Sequence, residues 1–131
     1  MIKNHVDACR ECIEKCQVCA KVCQDCCDET VSNHDCVKPC RDCINACRKC
    51  IEECKKFLQN CTDPEYAKLL QECIDKCEAC IRACESCVNA CSSAGDECKD
   101  MCKACVQACN ECIDACNKCI KKACELDTSC C

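Results

Sequence analysis

From Cys98 to Cys119 a cysteine stands at every third or fourth position: Cys98, Cys102, Cys105, Cys109, Cys112, Cys116 and Cys119. Alternating steps of four and three are the period of one helix face, a heptad with Cys at both a and d. A strand would need a period of two. Three further blocks follow the same rule. The first holds Cys9, Cys12, Cys16, Cys19, Cys23 and Cys26, with Cys27 adjacent. The second holds Cys36, Cys40, Cys43, Cys47, Cys50, Cys54 and, one heptad on, Cys61. The third holds Cys73, Cys77, Cys80, Cys84, Cys87 and Cys91. A chain written this way is constrained to helices that carry a thiol seam.

The flanking positions agree. Branched apolar residues follow alternate cysteines (Ile13, Ile44, Ile51, Ile74, Ile81, Val88, Val106, Ile113, Ile120), and alanine precedes others (Ala46, Ala83, Ala90, Ala108, Ala115). Each seam is thereby bordered by Ile or Val on one side and Ala on the other. Most of what remains is Lys, Arg, Glu, Asp, Gln and Asn, a solvated face, so the stripe is that of a bundle helix. Punctuation falls between the blocks. "DETVSNHD" separates the first two, and Pro39 is tolerated only near a helix start. "CTDPEY" offers Asp63 as N-cap and Pro64 as first helical residue. "SSAGDE" offers Gly95 as a stop, with Ser93 or Asp96 as a cap. The expected helices run over about 3–29, 37–60, 64–93 and 96–125, with a short tail to the end. Short connections force antiparallel neighbours, so the expected fold is all-α: one domain, an up-down-up-down four-helix bundle with a Cys-lined core.

Composition excludes the usual cysteine-rich scaffolds. The 131 residues include 30 Cys but one Gly and two Pro, too few for the irregular loops of disulfide frameworks, ferredoxins or zinc knuckles. With one Phe, one Tyr and no Trp, cysteine itself must fill the core, where it packs as a small hydrophobe. The net charge of −5 with interspersed signs, no basic patch and almost no aromatics argues against nucleic acid. No apolar run is long enough to cross a bilayer. "MIKNHVDACREC" has no apolar h-region, so it does not read as a secretory signal, and a reducing cytoplasm is the expected compartment.

Residues three and four apart on a helix have Cβ atoms about 5–6 Å apart. Two thiolates there reach about 4–4.5 Å separation with a metal between them, at bonds comparable to Zn–S. CxxxC pairs such as Cys12/Cys16, Cys43/Cys47, Cys80/Cys84 and Cys105/Cys109 are therefore expected to hold an ion, with CxxC steps joining one site to the next. Charge selects the ion. Unpaired thiolates are prohibitive in a low-dielectric core. If each thiolate bridges two ions and each ion takes two thiolates, a monovalent metal gives a neutral lattice. A tetrahedral ZnS₄ unit carries −2, and the seam has no cations to offset it. Soft thiolates thus point to Cu(I), or Ag(I) by mimicry, with many ions per chain.

Stretches such as "CRECIEKCQVCAKVC" and "CIDKCEACIRACESC" resemble the bacterial four-helix-bundle copper storage proteins, and the resemblance covers residues 9 to 124. It implies Cu(I) held by inward cysteines, a bundle that folds before metal arrives, a homo-oligomer of four bundles, and a cytosolic location for members without an export signal. The chain departs from that pattern in its larger number of thiols, among them Cys124, Cys130 and Cys131 beyond the regular seam. Cys124 is grouped with the expected metal ligands; Cys130 and Cys131 read as a loose tail.

The two ends of the seam differ. Phe57, Tyr66, Leu70, Ile2, Ala123 and Leu126 stand where the register would continue at one end, which reads as an apolar plug. At the other, Cys23, Cys26, Cys27, Cys36, Cys40, Cys91, Cys98 and Cys102 continue to the loops, which reads as the mouth for metal entry. His34 and Met101 lie near that mouth as candidate first-contact ligands, against the commoner readings of surface histidine and flexible gap-filler. His5 falls in register at the plugged end and reads as packed or solvated ahead of metal-bound. No nucleophile elbow, phosphate loop or His–Asp arrangement suggests an enzyme. The expected function is high-capacity Cu(I) storage, with a copper-delivering or copper-accepting protein as partner. The rivals are iron–sulfur binding, Zn or Cd scavenging, and a thiol–disulfide reservoir.

Overall fold

The computed structural model describes residues 2–27, 36–92 and 98–126. They form four α-helices: α1 (Ile2–Cys27), α2 (Val37–Leu58), α3 (Pro64–Ser92) and α4 (Cys98–Leu126), with no strand among the described residues. Each helix packs on two neighbours, α1 and α3 both lying against α2 and α4, which closes a four-membered ring around one core. Sulfur partners fix the directions. Cys12, Cys16 and Cys19 of α1 meet Cys47, Cys43 and Cys40 of α2 in descending order. Cys77, Cys80, Cys84 and Cys87 of α3 meet Cys112, Cys109, Cys105 and Cys102 of α4 in the same antiparallel way. This is the expected up-down-up-down bundle.

Local chemistry explains the boundaries. At the start of α3 the Tyr66 N–H donates to Asp63 Oδ1 at 3.0 Å and the Ala67 N–H to the Asp63 carbonyl at 2.9 Å. Asp63 is thus the N-cap and Pro64, which needs no donor there, the first helical residue. Pro39 sits in the first turn of α2, whose amides have no intrahelical acceptor to lose. α2 ends at Leu58, two residues before the expected boundary. The Asn60 and Cys61 amides bond to Phe57 and Leu58 carbonyls, three residues back, and this tighter turn unwinds the helix before Asp63 starts the next. Lys55 and Lys56 in the last turn complement the negative helix end. Gly95, Ser93, Asp96, His34, Cys130 and Cys131 lie outside the described residues.

The interior is made of sulfur. Every seam cysteine of the four blocks from Cys9 to Cys119, apart from Cys27 and Cys61, is buried, most with no exposed surface. Ile44, Ile74, Ala46, Ala90 and Ala115 are buried beside them, while Ile13, Ile51, Ile81, Val88, Val106, Ile113 and Ile120 pack on the rim of the same core. The wet face is laced by ion pairs. Some run along one helix, as Lys38–Asp42 at 3.0 Å; others cross between helices, as Lys76–Glu111 at 2.7 Å and Lys122–Glu65 at 3.3 Å. Exposed pairs of this kind contribute little stability, so the core is what holds the bundle. No described helix is long and apolar enough to cross a membrane.

Candidate metal centre

Each helix contributes one cysteine to each of a series of layers stacked along the bundle axis. Cys12, Cys47, Cys77 and Cys112 form one, and Cys16, Cys43, Cys80 and Cys109 the next; in each, all four sulfurs lie within 4.8 Å of one another. Cys19, Cys40, Cys84 and Cys105 continue the stack through contacts of 3.5–4.0 Å. Other groups of four span two layers, such as Cys16, Cys47, Cys80 and Cys112 or Cys12, Cys50, Cys77 and Cys116. Cys12, Cys16, Cys47, Cys77, Cys80 and Cys112 each belong to more than one such group. The sites interpenetrate, and metal ions filling neighbouring groups would have to share sulfurs.

The distances suit a metal–thiolate lattice. Bonds of about 2.3 Å would separate sulfurs by about 4.0 Å in a trigonal site and about 3.8 Å in a tetrahedral one. Within one helix, Cys12–Cys16, Cys50–Cys54 and Cys105–Cys109 are each 4.0 Å apart, the short end of the range expected from spacing alone. Across helices the sulfurs come closer, 3.5 Å for Cys16–Cys43, Cys19–Cys40 and Cys84–Cys105. The cross-helix contacts are what periodicity along a single rod does not reveal. They raise the number of ligands available to an ion from the two of a CxxxC pair to four.

Packed thiols divide their protons. Hydrogen bonds from Cys109 and Cys16 pull the Cys43 thiol well below its ordinary value. The same kind of contact, to Cys109, Cys112, Cys12 and Cys43, together with burial, pushes Cys16 far up. Cys80 is lowered to about 7, the Cys109 hydrogen bond foremost. One sulfur of a bonded pair becomes an acceptor thiolate only while its neighbour keeps its proton. Without a cation the column therefore stays largely protonated, because each added thiolate raises the cost of the next.

Not every expected ligand lies in the column. Cys91 and Cys98 are joined to each other by a disulfide between the end of α3 and the start of α4, with Cα atoms 5.1 Å apart. Cys124 is also disulfide-bonded. These three, expected as thiolate ligands, carry no free thiol in this state. The ends of α3 and α4 bring Cys91 and Cys98 to a distance that suits a bridge, which their seven-residue separation in a helical pattern concealed. Cys61, expected one heptad on in α2, stands in the turn after that helix, half exposed, its Sγ donating to the Asp63 carbonyl at 3.5 Å. Cys27 is half-buried at the mouth and donates to the Lys99 carbonyl. Cys26 and Cys36 are buried there, and Cys119, at the other end, donates to the Leu69 carbonyl at 3.2 Å. Met101 is half-buried and packs on the core at the mouth.

The plug is composed partly as expected. Tyr66, Leu70 and Ala123 are fully buried and Phe57 is half-buried, but Leu126 is 50 % exposed and takes no part. Val6 and His5 stand in the plug instead, both fully buried. His5 Nδ1 lies 2.9 Å from the Tyr66 hydroxyl and Nε2 lies 3.4 Å from Cys9 Sγ. Burial lowers the imidazole pKa against the pull of Cys73 and Glu53. Burial likewise pushes the Tyr66 phenol up, so it stays protonated. Tyr66 read as apolar filler from the sequence; that its hydroxyl would meet His5 depends on how α1 and α3 dock. The described cysteines thus form many buried groups able to hold metal ions, and several ions per chain fit. Comparison with known proteins returns no match: no family model, no curated protein and no solved structure matches this chain.

Proposed function

We propose that this protein is a non-catalytic, high-capacity store for Cu(I). The observation that carries this reading is the sharing of sulfurs between neighbouring groups of four throughout the core. Shared sulfurs bridge, and a bridged lattice with about one ion per thiolate is neutral only if the ion is monovalent. Neutrality supports this reading, since the described core holds no buried Lys or Arg and a buried net charge is prohibitive. Thiolate softness then favours Cu(I). Loading proceeds from the end that carries Cys26, Cys27 and Cys36, since the other is closed by Tyr66, Leu70 and Ala123. Each thiol gives up its proton as it becomes a bridging ligand. The resemblance to the copper storage proteins supports the same reading, and with it a cytosolic homo-oligomer that exchanges copper with partner proteins.

A second reading draws on the same groups of four. Sulfurs near 3.8 Å apart also fit tetrahedral Zn²⁺ or Cd²⁺. Such ions would fill separate layers, one ion to every four sulfurs, in place of about one ion per thiolate. An anaerobic titration of the reduced protein with Cu(I), against a chelator of known affinity and in the presence of excess Zn²⁺, separates the two. Uptake of many Cu(I) equivalents as a colourless species, with Zn²⁺ unable to compete, is the expected result. Saturation at a few ions, displacement by Zn²⁺, or a brown iron-containing protein on isolation would overturn the proposal.

A further inference from the structure

The sulfur column has to end somewhere, and at the plugged end it ends on an imidazole. His5 is the one buried polar or charged side chain among the described residues. It lies one helical turn before Cys9, with Nε2 3.4 Å from the Cys9 sulfur. Nδ1 is held 2.9 Å from the Tyr66 oxygen, and the rings of Phe57 and Tyr66 stand 6.0 and 5.8 Å from the imidazole. Both nitrogens are therefore fixed in direction, one toward a phenol and the other toward the sulfur group Cys9, Cys50, Cys54 and Cys73.

We propose that His5 Nε2 is a metal ligand, closing the column with the Cys9 thiolate in a mixed nitrogen–sulfur site for a soft monovalent ion, and that Tyr66 is its positioning residue. The inference rests on the Cu(I) reading above and names a ligand that reading does not require. Bonds of about 2.0 Å to nitrogen and 2.3 Å to sulfur, spanning the observed separation, subtend an angle of about 105°. That is the angle of a three- or four-coordinate ion, which leaves directions open for further sulfurs of the Cys9 group. Charge gives the reason for nitrogen. An ion at the end of the column has sulfurs on one side only, and a neutral imidazole completes its coordination without adding a buried anion. A leucine would close the bundle equally well and would need neither of the two polar contacts that His5 makes.

The proton inventory is simple. With Nδ1–H donating to the Tyr66 oxygen, Nε2 presents its lone pair and the Cys9 S–H donates to it. The ion takes the place of that thiol proton. Metal–sulfur and metal–nitrogen bonds form, the proton leaves to solvent, and nothing is oxidised or reduced.

The test is heteronuclear NMR of the histidine ring nitrogens during anaerobic titration of the full chain, first with Cu(I) and then with Ag(I). His34→Gln assigns the two histidines. The expected result is a large shift of His5 Nε2 on loading, with a direct silver–nitrogen coupling in the Ag(I) form. X-ray absorption of the Cu(I) form should show a nitrogen neighbour that is lost in His5→Gln. Tyr66→Phe should weaken the His5 site by about 10–100-fold, as loss of an orienting partner does. Full Cu(I) uptake with the His5 nitrogens unmoved would overturn the inference and leave the storage reading standing. No Cu(I) uptake by the wild-type chain would overturn both.

Discussion

A buried cysteine has two states with opposite demands, and the core serves both. Protonated, it packs as a small hydrophobe and passes its hydrogen to a neighbouring sulfur. Ionised, it needs a cation. Cys12 lies in the middle of this packing, with sulfur neighbours at 3.7 Å on α2 and α4 and at 4.0 Å on its own helix. Cys12→Ala is expected to destabilise the metal-free bundle by about 1 kcal/mol, through the cavity it leaves. It should also lower Cu(I) capacity; urea denaturation and titration read the two effects separately. His5 makes a pH-dependent contribution whose sign follows from its lowered pKa. The unfolded chain binds the histidine proton more readily than the folded one. Stability from this group is therefore present above the ordinary value of 6.5 and lost as pH falls through the lower folded value. The groups facing it are Cys9, Cys73, Tyr66 and Glu53. Denaturation curves at neutral and mildly acid pH should show a loss in the wild type that His5→Leu reduces. The thiol seam was legible residue by residue, because a heptad fixes which side chains share a face. The contacts of His5 with Cys9 and Tyr66 were not, since a register position says nothing of the partner at each ring nitrogen.

The helices owe their limits to short-range chemistry, and their legibility varied with it. Asp63 and Pro64 announce α3 in the sequence because both act on amides within one turn. Asp63→Ala should cost about 1 kcal/mol in thermal or chemical denaturation, the usual effect of losing an N-cap. The end of α2 carries no glycine, and the tightening of its last turn follows from the need to reach the Asp63 cap within a few residues. Cys61 continues the seam only as a count carried past that end. A period holds only while the helix does. Likewise Cys91 and Cys98 belong to the seam by spacing, yet at the facing ends of α3 and α4 they are bridged to each other.

For the whole molecule, thiols that pack when protonated are expected to let folding proceed before metal arrives. The far-UV circular dichroism of the reduced, metal-free chain is expected to be helical, and Cu(I) should raise the melting temperature without adding helix, as a ligand of the folded state does. A coil spectrum in the absence of metal would contradict this. Loading should release about one proton per bridging thiolate near neutral pH, read in a weakly buffered titration, and affinity should fall as pH falls because protons compete for the same sulfurs.

By itself the sequence determined that four helices form and that each turns a cysteine seam inward, because helical period and amphipathicity are properties of one segment. It also determined that the seam is a row of potential thiolate ligands for metal ions, because the chemistry of a thiol does not depend on the path of the chain. Only the tertiary structure decided which sulfurs meet. Interhelical distance and the antiparallel offset set the contacts of 3.5 Å between Cys16 and Cys43 and between Cys84 and Cys105. The same docking paired Cys91 with Cys98 and aimed His5 at both Tyr66 and Cys9. Those relations depend on how rods pack together, and no spacing along a single rod encodes them.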